Sequence, residues 1–199
     1  MKGRRIWEIG GLLAGAVLIA FGAVSIFLGV NGFATVRDSI KQEHIYFGAA
    51  QDPAVAKYAD QWAGQQVKTG DQARAFARIM RMHVMEATGG LTYADMGRYQ
   101  SAVKPNDPKG TNDETAAAND ADGNPIANGA RNIWVTETAL TTALNTSYMA
   151  ERLSIFGLVV GVALFLAGVG FLTLALAVFG RAPERTAERT LARTVPAAG

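Results

Sequence analysis

Two long apolar runs flank a polar middle segment in this chain. Residues 153–179 are twenty-seven consecutive positions without a charge, and residues 9–30 form a second apolar run of twenty-two positions. A helix as long as the later run extends for roughly 40 Å, which exceeds the ~30 Å hydrocarbon thickness of a bilayer. The pattern therefore predicts two membrane-spanning helices.

The first apolar run also shares features with a secretory signal peptide, since basic residues precede it and small residues follow it. The apolar part of a signal peptide is about 7–15 residues long, and this run is longer. We expect an uncleaved span, with a cleaved signal as the alternative.

The middle segment has the hydrophobic pattern of helices. Residues 72–88 space their apolar side chains three and four positions apart, which predicts an amphipathic helix. Asp52, which precedes a proline, predicts the start of an earlier helix, and Gly89, which precedes another glycine, predicts the end of this one. The predicted inward face of residues 72–88 consists of Phe76, Ile79, Met80, His83, Val84 and Ala87.

Residues 104–129 are rich in Pro, Gly, Asn and Asp, which predicts a long loop. The helical pattern then resumes, and no Pro or Gly lies between Ala130 and Ile155, so one helix should continue into the second span. Because no useful strand-type alternation occurs, the predicted class is all-α. The predicted architecture is a two-helix transmembrane hairpin with a helical extracytoplasmic domain inserted between the spans.

Basic residues are concentrated at the two ends of the chain. Residues 1–8 and 181–199 hold seven Lys or Arg against three acidic residues, whereas residues 31–151 hold eleven against fourteen. The positive-inside rule then places both ends in the cytoplasm of a two-pass cell-membrane protein. A basic character divided in this way does not indicate nucleic-acid binding. The predicted order is a cytoplasmic N-terminus (1–8), a span (9–30), the extracytoplasmic domain (31–152), a span (153–179) and a basic cytoplasmic tail (180–199).

Small residues recur every seven positions in both apolar runs, and each run also holds a G-x-x-x-G. Such residues allow the backbones of membrane helices to approach closely. Antiparallel packing would place Gly15 opposite Gly168 and Gly29 opposite Gly157. The alternative is that glycine is simply common in membrane helices. The predicted helix-packing positions are Gly11, Gly15, Gly22, Gly29, Gly157, Gly161, Gly168 and Ala175.

The residues that could carry chemistry are few. The chain has no cysteine and two histidines, His44 and His83. His83 and Glu86 are three positions apart on a predicted helix, a spacing found in helical metal sites. The alternative is a structural role in which Arg78 and Arg81 pair with Glu86 along the helix surface.

Asp120 and Asp122 lie in a D-A-D-G-N sequence that resembles part of a calcium-binding loop. The first loop position would be alanine and the twelfth glycine, where the calcium loop has acidic residues. A turn is therefore the preferred interpretation and calcium binding the alternative, and we expect no bound cofactor.

Two segments carry a resemblance to a known group of proteins. The first is RMHVMEATGG at residues 81–90 with the following Tyr93 and MGRY, and the second is NGARNIWVTETAL at residues 128–140 with NTSYM at 145–149. The chain resembles actinobacterial two-span membrane proteins of uncharacterised function, which often carry the label "aromatic ring-opening dioxygenase". Such dioxygenases hold iron with histidines and a carboxylate, whereas the histidines here are far apart in sequence. The resemblance implies location and architecture, and it carries over no catalytic residue.

The leading hypothesis is a non-catalytic membrane protein that acts as an accessory or scaffold subunit of a membrane complex. Its expected partners are the lipid bilayer and another membrane protein or a second copy of itself. A sensor or ligand-binding protein that signals through its helices to the tail is the alternative, and a metal-dependent enzyme is a remote one. The candidate partner-contact residues are Trp134, Glu137, Asn145 and Tyr148, although Trp134 could be a core anchor and Tyr148 an interface aromatic.

Overall fold

Four α-helices make up most of residues 2–179, the part of the chain that this computed structural model describes. The described residues contain no β-strand, only isolated β-bridges, so the all-helical class is confirmed for them. The predicted basic tail at residues 180–199 lies outside the described part. The helices are α1 (Lys2–Gln42), α2 (Pro53–Tyr58), α3 (Gly70–Ala87) and α4 (Gly129–Phe179), with short 3-10 helices at Asp60–Trp62, Tyr93–Asp95 and Glu114–Ala116.

Helices α1 and α4 are each long and apolar enough to cross a membrane. Only 17% of the most apolar stretch of α1 and 11% of that of α4 are buried, so most of these side chains face outward. The core helix of a water-soluble protein would bury its apolar residues instead. Helix α4 continues without interruption from Gly129 to Phe179, which agrees with the absence of Pro and Gly between Ala130 and Ile155.

The chain divides into two compact units. One unit, named here the paired-helix unit, contains α1 through Asn31 and α4 from Ser154 onward. The other unit, Gly32–Leu153, is named here the intervening domain. Each unit has its own internal packing.

The main core of the intervening domain forms where α2 and α3 pack together. Val55 of α2 and Ile79 of α3 are both buried there. The ring of Phe47 stacks on Trp62 at a centroid distance of 5.9 Å and meets Phe76 edge-on at 5.8 Å. Offset and edge-on ring pairs contribute about 0.5–1.5 kcal/mol beyond simple burial. This aromatic group therefore fixes the segment before α2 against α3.

Helix α2 begins where the sequence predicts and ends early. The carboxylate of Asp52 accepts hydrogen bonds from the backbone N–H groups of Ala54 at 2.8 Å and Val55 at 3.4 Å. The bond from Ala54 is the main cause that lowers the pKa of Asp52 below its ordinary value. Helix α2 ends at Tyr58, and a separate 3-10 turn follows. Residues 54–67, whose pattern suggests one longer helix, are thus divided after Tyr58.

Helix α3 follows the predicted limits, but its inward face differs from the predicted one. Ile79 and Val84 are buried as predicted, whereas His83 and Ala87 are exposed. The row of buried residues includes Ala73 instead, and its small side chain permits close packing. Turning His83 outward avoids burying an ionisable imidazole, which would cost free energy.

The predicted loop at residues 104–129 is tied to the residues before it by isolated bridges. Tyr99 bridges to both Thr111 and Ala127. Asn128 is buried, and its side-chain amide donates to the carbonyl oxygens of Gly97 at 3.1 Å and Pro108 at 2.9 Å. The side-chain oxygen of Asn128 also accepts from the N–H of Ala130, in the first turn of α4. One amide thus caps α4 and secures the preceding segment.

Candidate functional site

The paired-helix unit has its closest backbone contacts at the small residues that recur every seven positions. A Cβ atom added to Gly22 would lie 2.6 Å from the backbone nitrogen of Phe165 and 2.7 Å from the carbonyl oxygen of Gly161. A Cβ atom on Gly168 would lie 2.7 Å from the carbonyl oxygen of Gly15. Because real Cβ atoms do not approach other atoms below about 3.0 Å, a larger residue would separate the backbones.

The remaining predicted packing positions lie along the same contact. A Cβ on Gly11 would be 3.3 Å from the Cβ of Ala175. The atoms opposite Gly29 belong to Ser154 and Leu158, one turn or less from the predicted partner Gly157. The hydroxyl of Ser25 donates to the carbonyl oxygen of Gly157 at 2.7 Å, and the sequence did not indicate this hydrogen bond.

We predict that Gly22→Leu lowers the thermal unfolding temperature of the detergent-solubilised protein by several degrees. The added side chain would overlap the α4 backbone, and overpacking of this kind costs typically 1–3 kcal/mol. Gly170→Leu is the matched control, because a Cβ on Gly170 meets nothing within 4 Å. Equal unfolding temperatures for the two variants would contradict the close contact at Gly22.

A buried carboxylate joins three helices of the intervening domain. Glu151 of α4 is only 4% exposed. One of its oxygens accepts from the backbone N–H of Gly70, at the start of α3, at 2.8 Å. Both oxygens lie near the guanidinium of Arg37 in α1, at 3.3 and 3.4 Å. Sequence analysis did not single out Glu151, because its partners are 81 and 114 residues away.

We predict that Glu151→Gln destabilises the protein by about 2 kcal/mol, because the substitution leaves the Arg37 charge without its buried counter-ion. The measurement is thermal or denaturant unfolding in detergent. Asp38→Asn is the control, since it removes the carboxylate of an exposed pair with Lys41 on the same helix as Arg37. Exposed pairs of this type contribute only about 0–1 kcal/mol. If Glu151→Gln lost no more unfolding free energy than Asp38→Asn, burial would add nothing to this interaction.

Two of the candidate partner-contact residues, Trp134 and Glu137, lie inside the intervening domain. Trp134 is 3% exposed and donates from its indole N–H to the carbonyl oxygen of Leu91 at 2.9 Å. The guanidinium carbon of Arg81 lies 3.8 Å from the centroid of the Trp134 ring. Arg81 also contacts the buried carboxylate of Glu137 at 3.3 Å. Arg81 therefore pairs across to α4 and not with Glu86 along its own helix, which corrects the surface pairing considered from sequence.

The other two candidates, Asn145 and Tyr148, are more accessible. Asn145 is exposed on α4. The ring of Tyr148 is half-buried between two arginines, with the guanidinium carbon of Arg74 at 4.7 Å and that of Arg152 at 5.2 Å from its centroid. Cation–π contacts of this length contribute about 0.5–1 kcal/mol at exposed sites. Arg152 also forms an exposed ion pair with Asp71.

Two of the residues considered for metal binding, His83 and Asp120, have other contacts. His83 faces Asp52, with Nε2 3.0 Å from a carboxylate oxygen. The Asp120 carboxylate accepts from the backbone N–H groups of Asn124 at 2.8 Å and Asp122 at 3.0 Å, as in an Asx turn. The hydrogen bond from the backbone N–H of Asn124 contributes most to lowering the pKa of Asp120. Within residues 2–179 no three His, Asp or Glu side chains lie close enough together to hold a metal ion.

The intervening domain has a cleft of about 810 Å³ that could accept a ligand. Residues of α2, α3 and α4 line it, and Ala77, Met82 and Met85 supply apolar surface. Thr141 and Asn145 supply neutral polar groups on the α4 side. The charged residues that line the cleft are Lys57, Arg74, Arg78, Arg81, Glu86 and Glu137.

The sequence contains one indication of this cleft. Arg74, Arg78 and Arg81 are four and three positions apart, so they project from one side of α3. Such spacing predicts a basic stripe on a helix. It does not indicate which helix faces the stripe or whether acidic residues neutralise it, and those properties decide whether the stripe can bind an anion.

Comparison with known proteins gave no match. No family model, no curated protein and no solved structure matches this chain. The resemblance to two-span actinobacterial membrane proteins therefore stays a prediction.

Proposed function

We propose that this chain is a non-catalytic integral membrane protein that serves as an accessory or scaffold subunit of a membrane complex. In this proposal α1 and α4 form a transmembrane hairpin, the intervening domain is extracytoplasmic, and both chain ends are cytoplasmic. The observation that carries the membrane assignment is the outward-facing apolar surface of the paired-helix unit. Its exposed large residues include Leu13, Phe21, Phe27, Phe156, Leu166 and Leu174.

Exposed phenylalanine and leucine on both helices would drive aggregation in water. In a bilayer the same side chains contact lipid tails at no hydrophobic cost, and every backbone N–H in the helix interior is already bonded. The close contact at Gly22 and Gly161 suits this environment, because van der Waals packing drives the association of helices in lipid. The charge bias of the chain ends supports the proposed orientation.

The accessory role is supported by apolar residues that remain exposed on α4 inside the intervening domain. Ile133 is 46% exposed and Leu140 is 47% exposed. Ile133 and Leu140 are seven residues apart, two helical turns, so they lie on one side of α4. A contact surface for another membrane protein would use such a row of residues.

We predict that a cysteine at Ala121, an exposed position in the segment 104–129, reacts with a membrane-impermeant thiol reagent on intact cells. The chain has no native cysteine, so labelling reports the introduced residue alone. A cysteine at Ala198 is the control and should react only after the membrane is permeabilised. Protection of the Ala121 position on intact cells would overturn the proposed orientation.

We also predict that gentle detergent extraction and affinity capture recover a stoichiometric membrane partner or a second copy of this chain. The double variant Ile133→Asn with Leu140→Asn should lose that partner, because it places two amides at the proposed contact. Val103→Asn is the matched control, since Val103 is 85% exposed outside α4. The measurement is quantitative mass spectrometry of the captured material.

Capture of this chain alone as a monomer would overturn the accessory role. A second candidate would then be favoured, a membrane-anchored ligand-binding protein, and the observation that supports it is the cleft lined by α3 and α4. Loss of the partner from both the double variant and the Val103 control would instead point to non-specific association.

A further inference from the structure

We propose that the cleft of the intervening domain binds an oxyanion, a phosphate or carboxylate group carried by a ligand with an apolar part. This inference deepens the ligand-binding candidate and does not depend on the accessory role. The residues that would contact the anion are Lys57 of α2 with Arg74 and Arg78 of α3. All three line one cleft of about 810 Å³.

These three cations are the basic side chains lining the cleft that have no ion-pair partner within residues 2–179, whereas Arg81 in the same cleft is paired with Glu137. Arg37, Arg81 and Arg152 each contact a carboxylate, at Glu151, Glu137 and Asp71 respectively. Among the side chains that the structure describes, Lys57, Arg74 and Arg78 form no ion pair. Lys57 lies near the Tyr58 ring and Arg74 near the Tyr148 ring, and both contacts leave N–H groups available.

The sign of the cleft is opposite to that of the domain around it. Residues 32–153 hold twelve Lys or Arg and fourteen Asp or Glu. The cleft holds four basic and two acidic side chains, a formal net charge of +2. Basic side chains gathered in a concave surface focus the electrostatic potential and attract anions.

The two carboxylates of the cleft leave most of this positive charge available. Glu137 is 2% exposed and contacts Arg81 at 3.3 Å, so each compensates the charge of the other. Glu86 is exposed and lies eight residues after Arg78 on α3, about 12 Å further along the helix axis. Of the two carboxylates that line the cleft, Glu137 is thus compensated by Arg81, and Glu86 is separated from Arg78 by about two turns of α3.

The chemistry of these side chains favours an oxyanion over a halide. A guanidinium presents paired N–H donors whose geometry matches the oxygens of carboxylate and phosphate. Two arginines spaced by four residues and a lysine from a neighbouring helix can surround a tetrahedral group. Ala77, Met82 and Met85 line the same cleft, and methionine adapts its shape to irregular apolar ligands.

The test uses the full-length protein in a neutral detergent or in nanodiscs of phosphatidylcholine. Binding of inorganic phosphate and of short-chain phosphatidic acid is measured by calorimetry, with short-chain phosphatidylcholine as the lipid of no net charge. We expect Lys57→Gln and Arg78→Gln each to weaken binding at least tenfold, which corresponds to the loss of one charge-assisted hydrogen bond. Binding should also weaken between about 0.05 and 0.5 M salt, because salt screens the attraction.

Lys104→Gln is the matched control for Lys57→Gln, since Lys104 is an exposed lysine outside the cleft. It should leave binding unchanged. Lys57 and Arg78 form no ion pair, so the variants Lys57→Gln and Arg78→Gln should unfold at a temperature near that of the parent protein. Their unfolding temperatures therefore distinguish a loss of binding from a loss of folding. A response to phosphate identifies a soluble anion as the source, and a response to phosphatidic acid alone identifies a lipid headgroup.

Three results would overturn the proposal. One is the absence of binding by either anionic probe at millimolar concentration, which would leave the accessory role intact. Another is equal weakening by Lys104→Gln and Lys57→Gln, which would show general attraction to a charged surface. Binding of phosphatidylcholine as strong as that of phosphatidic acid would also contradict recognition of charge.

Discussion

One carboxylate, that of Glu151, connects three helices of the intervening domain. Its oxygens accept from Arg37 of α1 and from the backbone N–H of Gly70 at the start of α3, while Glu151 itself belongs to α4. A buried carboxylate is costly unless it is paired and hydrogen-bonded, so the fold that buries Glu151 must also bring these partners to it. The packing of α3, and with it the position of the cleft, depends on this requirement.

Glycine makes the closest approaches possible in both units. In the paired-helix unit a Cβ on Gly22 would overlap the backbone of the facing helix. In the intervening domain a Cβ on Gly70 would lie 3.0 Å from the Cα of Tyr148 and 3.2 Å from the Cβ of Glu151. Because residue 70 has no side chain, the N-terminal end of α3 reaches the Glu151 carboxylate without displacing its neighbours. Close packing of the paired helices and a hydrogen bond in the intervening domain thus place the same demand on the sequence.

The sequence predicted the features that depend on neighbouring residues. Helix limits followed from local rules, as at Asp52, where a carboxylate before proline caps α2. Features set by distant partners were left open or missed. The sequence left Trp134 open between contact with a partner and a core anchor, and the structure places it in a core, where its indole N–H donates to the carbonyl oxygen of Leu91, 43 residues earlier. The exposure of His83 and the cationic character of the cleft likewise depend on which helix faces α3, and the periodicity of a single helix does not contain that information.

The bridged segment at residues 104–129 has a consequence for proteolysis. Its glycine, proline and polar composition is typical of linkers that proteases cut readily. A protease must bind several residues of extended and unpaired backbone, however, and here the N–H groups of Gly97, Tyr99, Ala118 and Asn128 are engaged across the segment. Cleavage would require these bonds to open first. Its rate would then follow the free energy of that local opening, so the segment would resist digestion for as long as the bridges hold.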